Sequence, residues 1–423
     1  MQAFQKSPLL TKTCSRLIAL LILLFNTLVV QATPDILLPK HRLLADELAI
    51  IINDSDPLSR RIGAYYQKAR HIPPENVLHV RIKPGRPIIS EAEFNLLYQQ
   101  VQKATPAGVQ AYALTWAAPW RVDCMSITTA FTFGFDRAFC SKTKCARTRV
   151  SPLYNSRSAS PYDDFGIRPT IAIAATSFKQ ARALIDRGVA SDNTQPPGTA
   201  WLVSTTDKAR NVRSVFYPVI VKAMADWIDT RIAKTNALEN VSDILFYFTG
   251  HARVTGLETL QFRPGAIADH LTSTGGQLTT SKQMSALRWL EAGATGSYGT
   301  VVEPCNLTGK FPRPGLVMEA YGSGRTLIEA YWQSVQQPGE GIFIGEPLAA
   351  PFDGQQVEEE DDHILLTTRT LMPGLYRLLV SNSPVGPFKP LPGVLKVNYH
   401  QKTFQLPKPG VNYYRLELIR GGQ

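Results

Sequence analysis

From Leu48 to Phe352 two apolar periods take turns along the chain. Leu48 to Ile52 is a short continuous apolar run, the mark of a strand buried on both faces. Asp56 then caps a helix with Pro57 at its first position, where a missing N–H costs nothing. Leu58, Ile62, Tyr65 and Ala69 give that helix one apolar face, and Pro73-Pro74 prevents its continuation. Val77 to Ile82 reads as a strand. Ser90 with Glu93 forms a capping box, Ile89 and Phe94 stand at staple spacing, and the helix they open runs to about Lys103. Val109 to Trp116 is a third strand. The rhythm resumes with strands at Ile171–Ala175, Trp201–Thr205, Ile244–Thr249 and Gly299–Val302. Helices fall at Ser177–Arg187, Val212–Ile232, Ser281–Gly293 and Thr326–Val335.

Strand and helix in regular alternation predict an α/β fold, a mostly parallel sheet sandwiched by helices. The stretch from Ala117 to Pro169 has no period and holds three cysteines, and loops this long are usually functional or braced. After Phe352 the pattern changes to short alternating runs at Ile364–Thr368, Tyr376–Val380, Val394–Tyr399, Thr403–Leu406 and Tyr413–Ile419. Pro and Gly turns separate them, as in a small antiparallel β unit. The acidic run Glu358 to Asp362 before them reads as a solvated linker or strand edge. The expected organisation is therefore an export signal over 1–32, an N-terminal α/β region with a long Cys-containing loop over 33–168, a second α/β region over 169–352 and a β unit over 353–423.

The export signal rests on Lys6, Lys12 and Arg16 ahead of a short apolar core, Leu17 to Val30, and on the small-residue pattern Val30-Gln31-Ala32. No later run is long and apolar enough to span a bilayer, so the processed chain is expected to have no transmembrane span and to be periplasmic, cell-surface or secreted. With 44% hydrophobic and 19% charged residues among 423, disordered, coiled-coil and collagen-like classes are excluded. The net charge of +11 invites a nucleic-acid reading. Removing the signal takes three cations with it and leaves 391 residues at +8, without a basic stripe interleaved with aromatics, so no nucleic-acid partner is expected.

Cys124, Cys140, Cys145 and Cys305 remain after processing, an even number that in an exported chain predicts two disulfides. Cys140 and Cys145 are spaced for a small loop, which would pair Cys124 with Cys305. Cys305 has a second reading. It follows the strand Gly299–Val302, and His251 follows the strand Ile244–Thr249, with the helix Ser281–Ala292 between, so the two strands can be neighbours. In α/β sheets ligands gather at strand C-termini, and a Cys and a His there can act as nucleophile and general base. His270, at the end of another apolar stretch, is the rival base, and Glu303 is a candidate to orient either. Trp116, Trp120 and Arg121 follow a strand end and are candidates to line a substrate pocket, with Arg263 and Lys310 as cations for a carboxylate. Asp163-Asp164 has no His or Cys at ligand spacing, and no HExxH, CxxC, P-loop or GxGxxG occurs, so neither metal nor cofactor is expected.

FYFTGHARVTGLETLQF, residues 246–262, resembles the His segment of the caspase-like cysteine peptidases, especially legumains and the catalytic subunit of the GPI transamidase. CNLTGKF (305–311), TLIEAYW (326–332) and FIGEPL (343–348) are similar to the Cys segment, helix and closing strand of the gingipain branch. Ala252 stands where those peptidases usually carry Gly, and Pro304 precedes the Cys. The stretches GAIADHLTSTGG (265–276), GATGSYGTVVEPC (293–305) and GEPLAAPF (345–352) resemble an uncharacterised family of exported proteins from bacteria that carry the exosortase sorting system. The resemblance implies a caspase-like second half. It implies either a cysteine peptidase or transpeptidase-like hydrolase acting on a peptide or protein, or a non-catalytic protein that keeps the fold and binds an envelope component.

Overall fold

A computed structural model describes residues 33–143, 145–398 and 401–419. The export signal read over 1–32 lies outside the described residues. In chain order the first strands are β1 (Asp35–Leu37), β2 (Leu48–Asn53), β3 (Val77–Val80), β4 (Ile88–Ile89), β5 (Ala111–Leu114), β6 (Arg121–Val122), β7 (Met125–Ser126) and β8 (Thr170–Ala172). Next come β9 (Thr199–Ser204), β10 (Asp229–Lys234), β11 (Ile244–Thr249), β12 (Phe262–His270), β13 (Gly296–Thr300) and β14 (Gly341–Gly345). The C-terminal unit holds β15 (Gln355–Glu359), β16 (His363–Thr368), β17 (Gly374–Ser381), β18 (Lys389–Pro390), β19 (Leu395–Val397), β20 (Thr403–Pro407) and β21 (Tyr413–Leu418).

Ten strands form one sheet in the order β10-β9-β11-β12-β13-β14-β8-β5-β2-β3. Every neighbouring pair is parallel except β13 with β14. The sheet is thus mixed: two parallel blocks of five run in opposite directions and meet at that antiparallel seam. The consequence for function is direct, because the strand C-termini of the two blocks lie on opposite edges.

The helices are α1 (Pro57–Arg70), α2 (Glu91–Ala104), α3 (Ile127–Phe133), α4 (Pro161–Phe165), α5 (Phe178–Ser191), α6 (Tyr217–Met224), α7 (Leu287–Ala292), α8 (Pro314–Gly322) and α9 (Leu327–Ser334). The α1 cap is as the sequence dictates, with Asp56 accepting from Leu58 N–H. The Ser90 and Ser177 caps also form. Helices α1, α5 and α7 pack over one face, while α2, α3, α6, α8 and α9 cover the other. Two expected helices are shortened. The run Val212–Ile232 splits into a 3-10 turn, α6 and the edge strand β10, and the helix expected from Ser281 begins only at Leu287. Ser281 spends its oxygen on Gln283 N–H instead.

The C-terminal strands pair antiparallel in two small sheets with their own apolar core. Glu358 and Glu359 of the acidic run belong to β15, whose partner is β16. Strand β1 joins this unit by pairing parallel with β21, so the start of the described chain is built into its end. Asp353 fastens the junction, accepting from Arg42 Nε at 2.5 Å and contacting His41 Nε2 at 2.6 Å. In the FIGEPL stretch, Glu346 is fully buried and accepts from Tyr66 Oη at 2.7 Å and Arg70 Nε at 2.9 Å. That motif is a structural hub tying β14 to α1.

Candidate functional site

The edge where β11, β12 and β13 end carries His251, His270 and Cys305, one at or just beyond each strand. The sequence allows β11 and β13 to be neighbours; instead β12 lies between them. Its N-terminal half, Phe262-Arg263-Pro264-Gly265, holds a Pro and a Gly and hides the strand from a pattern search. At 4.7–4.9 Å per strand, β11 and β13 are separated by about 10 Å. Close approach of two glycines shapes the β12–β13 end: a Cβ on Gly299 would stand 2.4 Å from Gly276 N, and Gly276 N–H donates to Thr300 O at 2.9 Å. The loop after His270 can therefore tuck against β13 only without side chains there.

His270 is fully engaged. Trp289 Nε1–H donates to its Nδ1 at 2.9 Å, and its Nε2 meets Met284 O, an acceptor, at 3.1 Å. Nε2 therefore carries the proton, and neither nitrogen is left for substrate. Burial pushes the imidazole down to about 3, opposed by the Met284 hydrogen bond and helped by the charge of Arg213. This histidine is neutral and structural. His251 is half-exposed on the loop after β11; its Nδ1 lies 2.7 Å from Arg253 O and 3.4 Å from Arg253 N, and the shorter contact makes Nδ1 the donor and leaves a lone pair on Nε2.

Cys305 and Cys145 are joined in a disulfide, and Cys124 pairs with Cys140. Both bridges have ordinary Cα separations, 5.3 and 5.7 Å. This corrects the expected pairing of Cys140 with Cys145 and Cys124 with Cys305. The cause is the polar network beside it. Lys310 Nζ reaches Glu340 at 2.7 Å and Ser141 Oγ at 2.8 Å, drawing the loop after Cys140 toward the Cys305 loop. Cys305 holds a left-handed backbone, φ 57°, and its N–H donates to Glu303 Oε1 at 2.8 Å. Glu303 thus shapes the cysteine turn. A bonded sulfur is no nucleophile, since attack requires a thiolate.

The other candidates are dispersed. Trp116 and Trp120 are buried in the main core, and Trp116 Nε1 donates to Pro119 O at 3.1 Å. They pack rather than line a pocket. Arg121 is half-buried with its guanidinium 5.6 Å from the Trp120 ring, and burial pushes its pKa down. Arg263 is exposed at the start of β12, seven residues from His270 and so about 23 Å away along the strand. Lys310 does meet a carboxylate, Glu340 of its own chain, and both are buried.

Around the three strand ends stand residues that no local spacing signals. Arg210 Nε donates to Thr272 Oγ1 at 3.2 Å, and Thr272 Oγ1 donates to Gln283 Oε1 at 2.6 Å. Beneath them Arg213 pairs with Asp269 at 2.6 Å, both buried, and donates to Thr249 O. Burial raises the Asp269 carboxyl, and the Arg213 charge opposes it. Arg213 lies 56 residues from Asp269 in sequence, so only the fold brings them together. Among the described residues no group of three or more His, Cys, Asp or Glu is placed to hold a metal ion.

No protein-family model and no curated protein matches the chain. Among solved structures it is similar to the Arg-specific cysteine proteinase gingipain R (RgpB), at 10% identity and a TM-score of 0.41, over 89% of this chain and 99% of that one. It is also similar to a structure of the complex of the pro- and mature domains of RgpB from Porphyromonas gingivalis, at 9% identity and a TM-score of 0.40, over 85% of this chain and 93% of that one.

Proposed function

We propose that this is an exported protein that keeps the strand-end frame of a Cys–His hydrolase and acts by binding a peptide, protein or envelope component. The carrying observation is the Cys145–Cys305 bridge, which occupies the cysteine that follows β13. Export is supported by two disulfides, which persist in oxidising compartments. No described helix is long and apolar enough to cross a membrane. The decisive experiment is cysteine labelling with an alkylating probe, read by mass spectrometry, beside a peptide-library cleavage assay. The expected result is no label on Cys305 before reduction and no cleavage before or after it.

A second reading has its own observation. The bridge is accessible, with Cys145 exposed and Cys305 half-buried, and the tautomer of His251 leaves Nε2 as a base. Reduction by an external dithiol would oxidise that dithiol and release both thiols. Cys305 Sγ would then attack a peptide carbonyl, His251 passing the thiol proton to the leaving amine, and water would hydrolyse the thioester. Cleavage that appears on reduction and is lost in Cys305→Ala and His251→Ala would replace the binding reading with this one.

A further inference from the structure

A cavity of about 520 Å³ opens between the main body and the C-terminal β unit. It sits beside Trp227, just ahead of β10, at the edge of the sheet opposite His251. Its volume falls in the range of small-ligand sites, and junctions between structural units are where such sites concentrate.

One wall is apolar and fixed. The Trp227 ring is held edge-on by Phe246 at 6.0 Å and Phe352 at 5.1 Å, and Met224, Leu316 and Met372 extend the surface. The opposite wall carries two cations, Arg369 and Lys402. Thr368 N–H donates to Lys402 O at 2.9 Å, so Lys402 stands across from Thr368 and Arg369 lies one position further along, on the neighbouring rung, and both line the cavity. Like charges this near each other repel, and the Arg369 charge is felt at Lys402. Both are half-buried, and neither makes an ion pair with a described residue; the Arg369 guanidinium lies 5.6 Å from the Trp227 centroid. Burial pushes Arg369 down, and burial together with the Arg369 charge pushes Lys402 down. Arg325, also lining the cavity, is already engaged by Ser158 O at 2.8 Å and Glu329 at 3.3 Å. Asp226 and Glu319 stand on the helical side.

Two adjacent, poorly solvated cations beside a rigid aromatic surface need an anion that also has an apolar part. We propose that this cavity binds the C-terminal carboxylate of a peptide with an apolar last residue, the carboxylate on Arg369 and Lys402 and the side chain against Trp227. An acidic sugar would offer the charge, but it would set hydroxyls against the apolar wall. The proposal deepens the binding reading by giving it a place and a ligand class. Cleavage and binding are measured separately, so either can fail without the other.

The test is calorimetric titration of the mature, oxidised protein with N-acetyl-Ala-Ala-Phe, its C-terminal amide, and glucuronate. The free acid is expected to bind at least about tenfold more tightly than the amide and than glucuronate. Arg369→Met with Lys402→Met is expected to weaken the acid by about tenfold or more, while removal of the like-charge repulsion leaves the melting temperature equal or higher. Should the double variant fail to fold, Lys402→Gln alone reports the same loss in smaller measure. Equal binding of acid and amide, unchanged binding by the folded variant, tighter binding of glucuronate, or no binding of the acid at about 10 mM overturns the proposal.

Discussion

At the end of β12, His270 shows how a chemically suggestive residue becomes structure. Its two nitrogens are used by Trp289 and Met284, and the ring is 1% exposed. An unfolded imidazole takes up its proton near pH 6.5, whereas this one, lowered by burial, does so at about 3. The folded chain therefore binds fewer protons between those values, so this group's contribution is complete above about pH 6.5 and is lost as pH falls toward 3. His270→Gln, which cannot titrate, is expected to show a flatter urea midpoint against pH across that window than the parent; parallel curves would count against a buried neutral ring. Gly250, immediately before His251, gives a second residue-level expectation. A Cβ there would lie 2.0 Å from Arg210 O, a backbone atom that cannot swing aside. Gly250→Ala should cost about 1–3 kcal/mol in urea unfolding, an overpacking penalty. An unchanged midpoint would mean the turn relaxes freely.

At the scale of elements, the sequence was legible wherever a cap or a buried apolar run was complete. The Asp56, Ser90 and Thr326 starts are where the pattern puts them, and the C-terminal strands fall within a residue or two. Strand β12 was not legible, because its first four residues include Pro and Gly and are partly exposed, so only its end reads as apolar. Edge strand β10, Asp-Thr-Arg-Ile-Ala-Lys, is mostly exposed and carries charges at both ends, so it passes for the polar face of a helix. Missing β12 is what made the strands β11 and β13 look adjacent. The reach from β13 to β14 rests on a pair that spacing did not reveal either, Lys310 with Glu340, each 1% exposed. Lys310→Met leaves a buried carboxylate without its cation and should cost about 3–5 kcal/mol. Adding Glu340→Leu should recover most of that loss in chemical denaturation. A double variant no better than the single would show that Glu340 is held by Ser141 and not by Lys310.

For the whole molecule, the controlling fact is that two parallel blocks oppose each other at the β13–β14 seam, with long connections crossing between them. The loop after Cys140 belongs to the first block and the Cys305 loop to the second, and the Cys145–Cys305 bridge joins them over a separation of 160 residues. The Cys124–Cys140 bridge spans only 16, all within the first block. In the chain-entropy account a closed loop of the larger size restrains the unfolded chain by about 5 kcal/mol and one of the smaller size by about 3 kcal/mol. Replacing Cys145 and Cys305 together by Ala should therefore lower the urea midpoint more than replacing Cys124 and Cys140. Both members of the long bridge hold left-handed backbones, φ 68° and 57°, each unfavourable by about 1–2 kcal/mol, so their release gives some stability back in the folded state. If the long bridge proves the less stabilising of the two, its place at the strand-end edge is better explained by redox control of Cys305 than by bracing. The same four cysteines thus decide between a sealed binding protein and a latent hydrolase, and the unfolding comparison bears on that choice without any knowledge of the ligand.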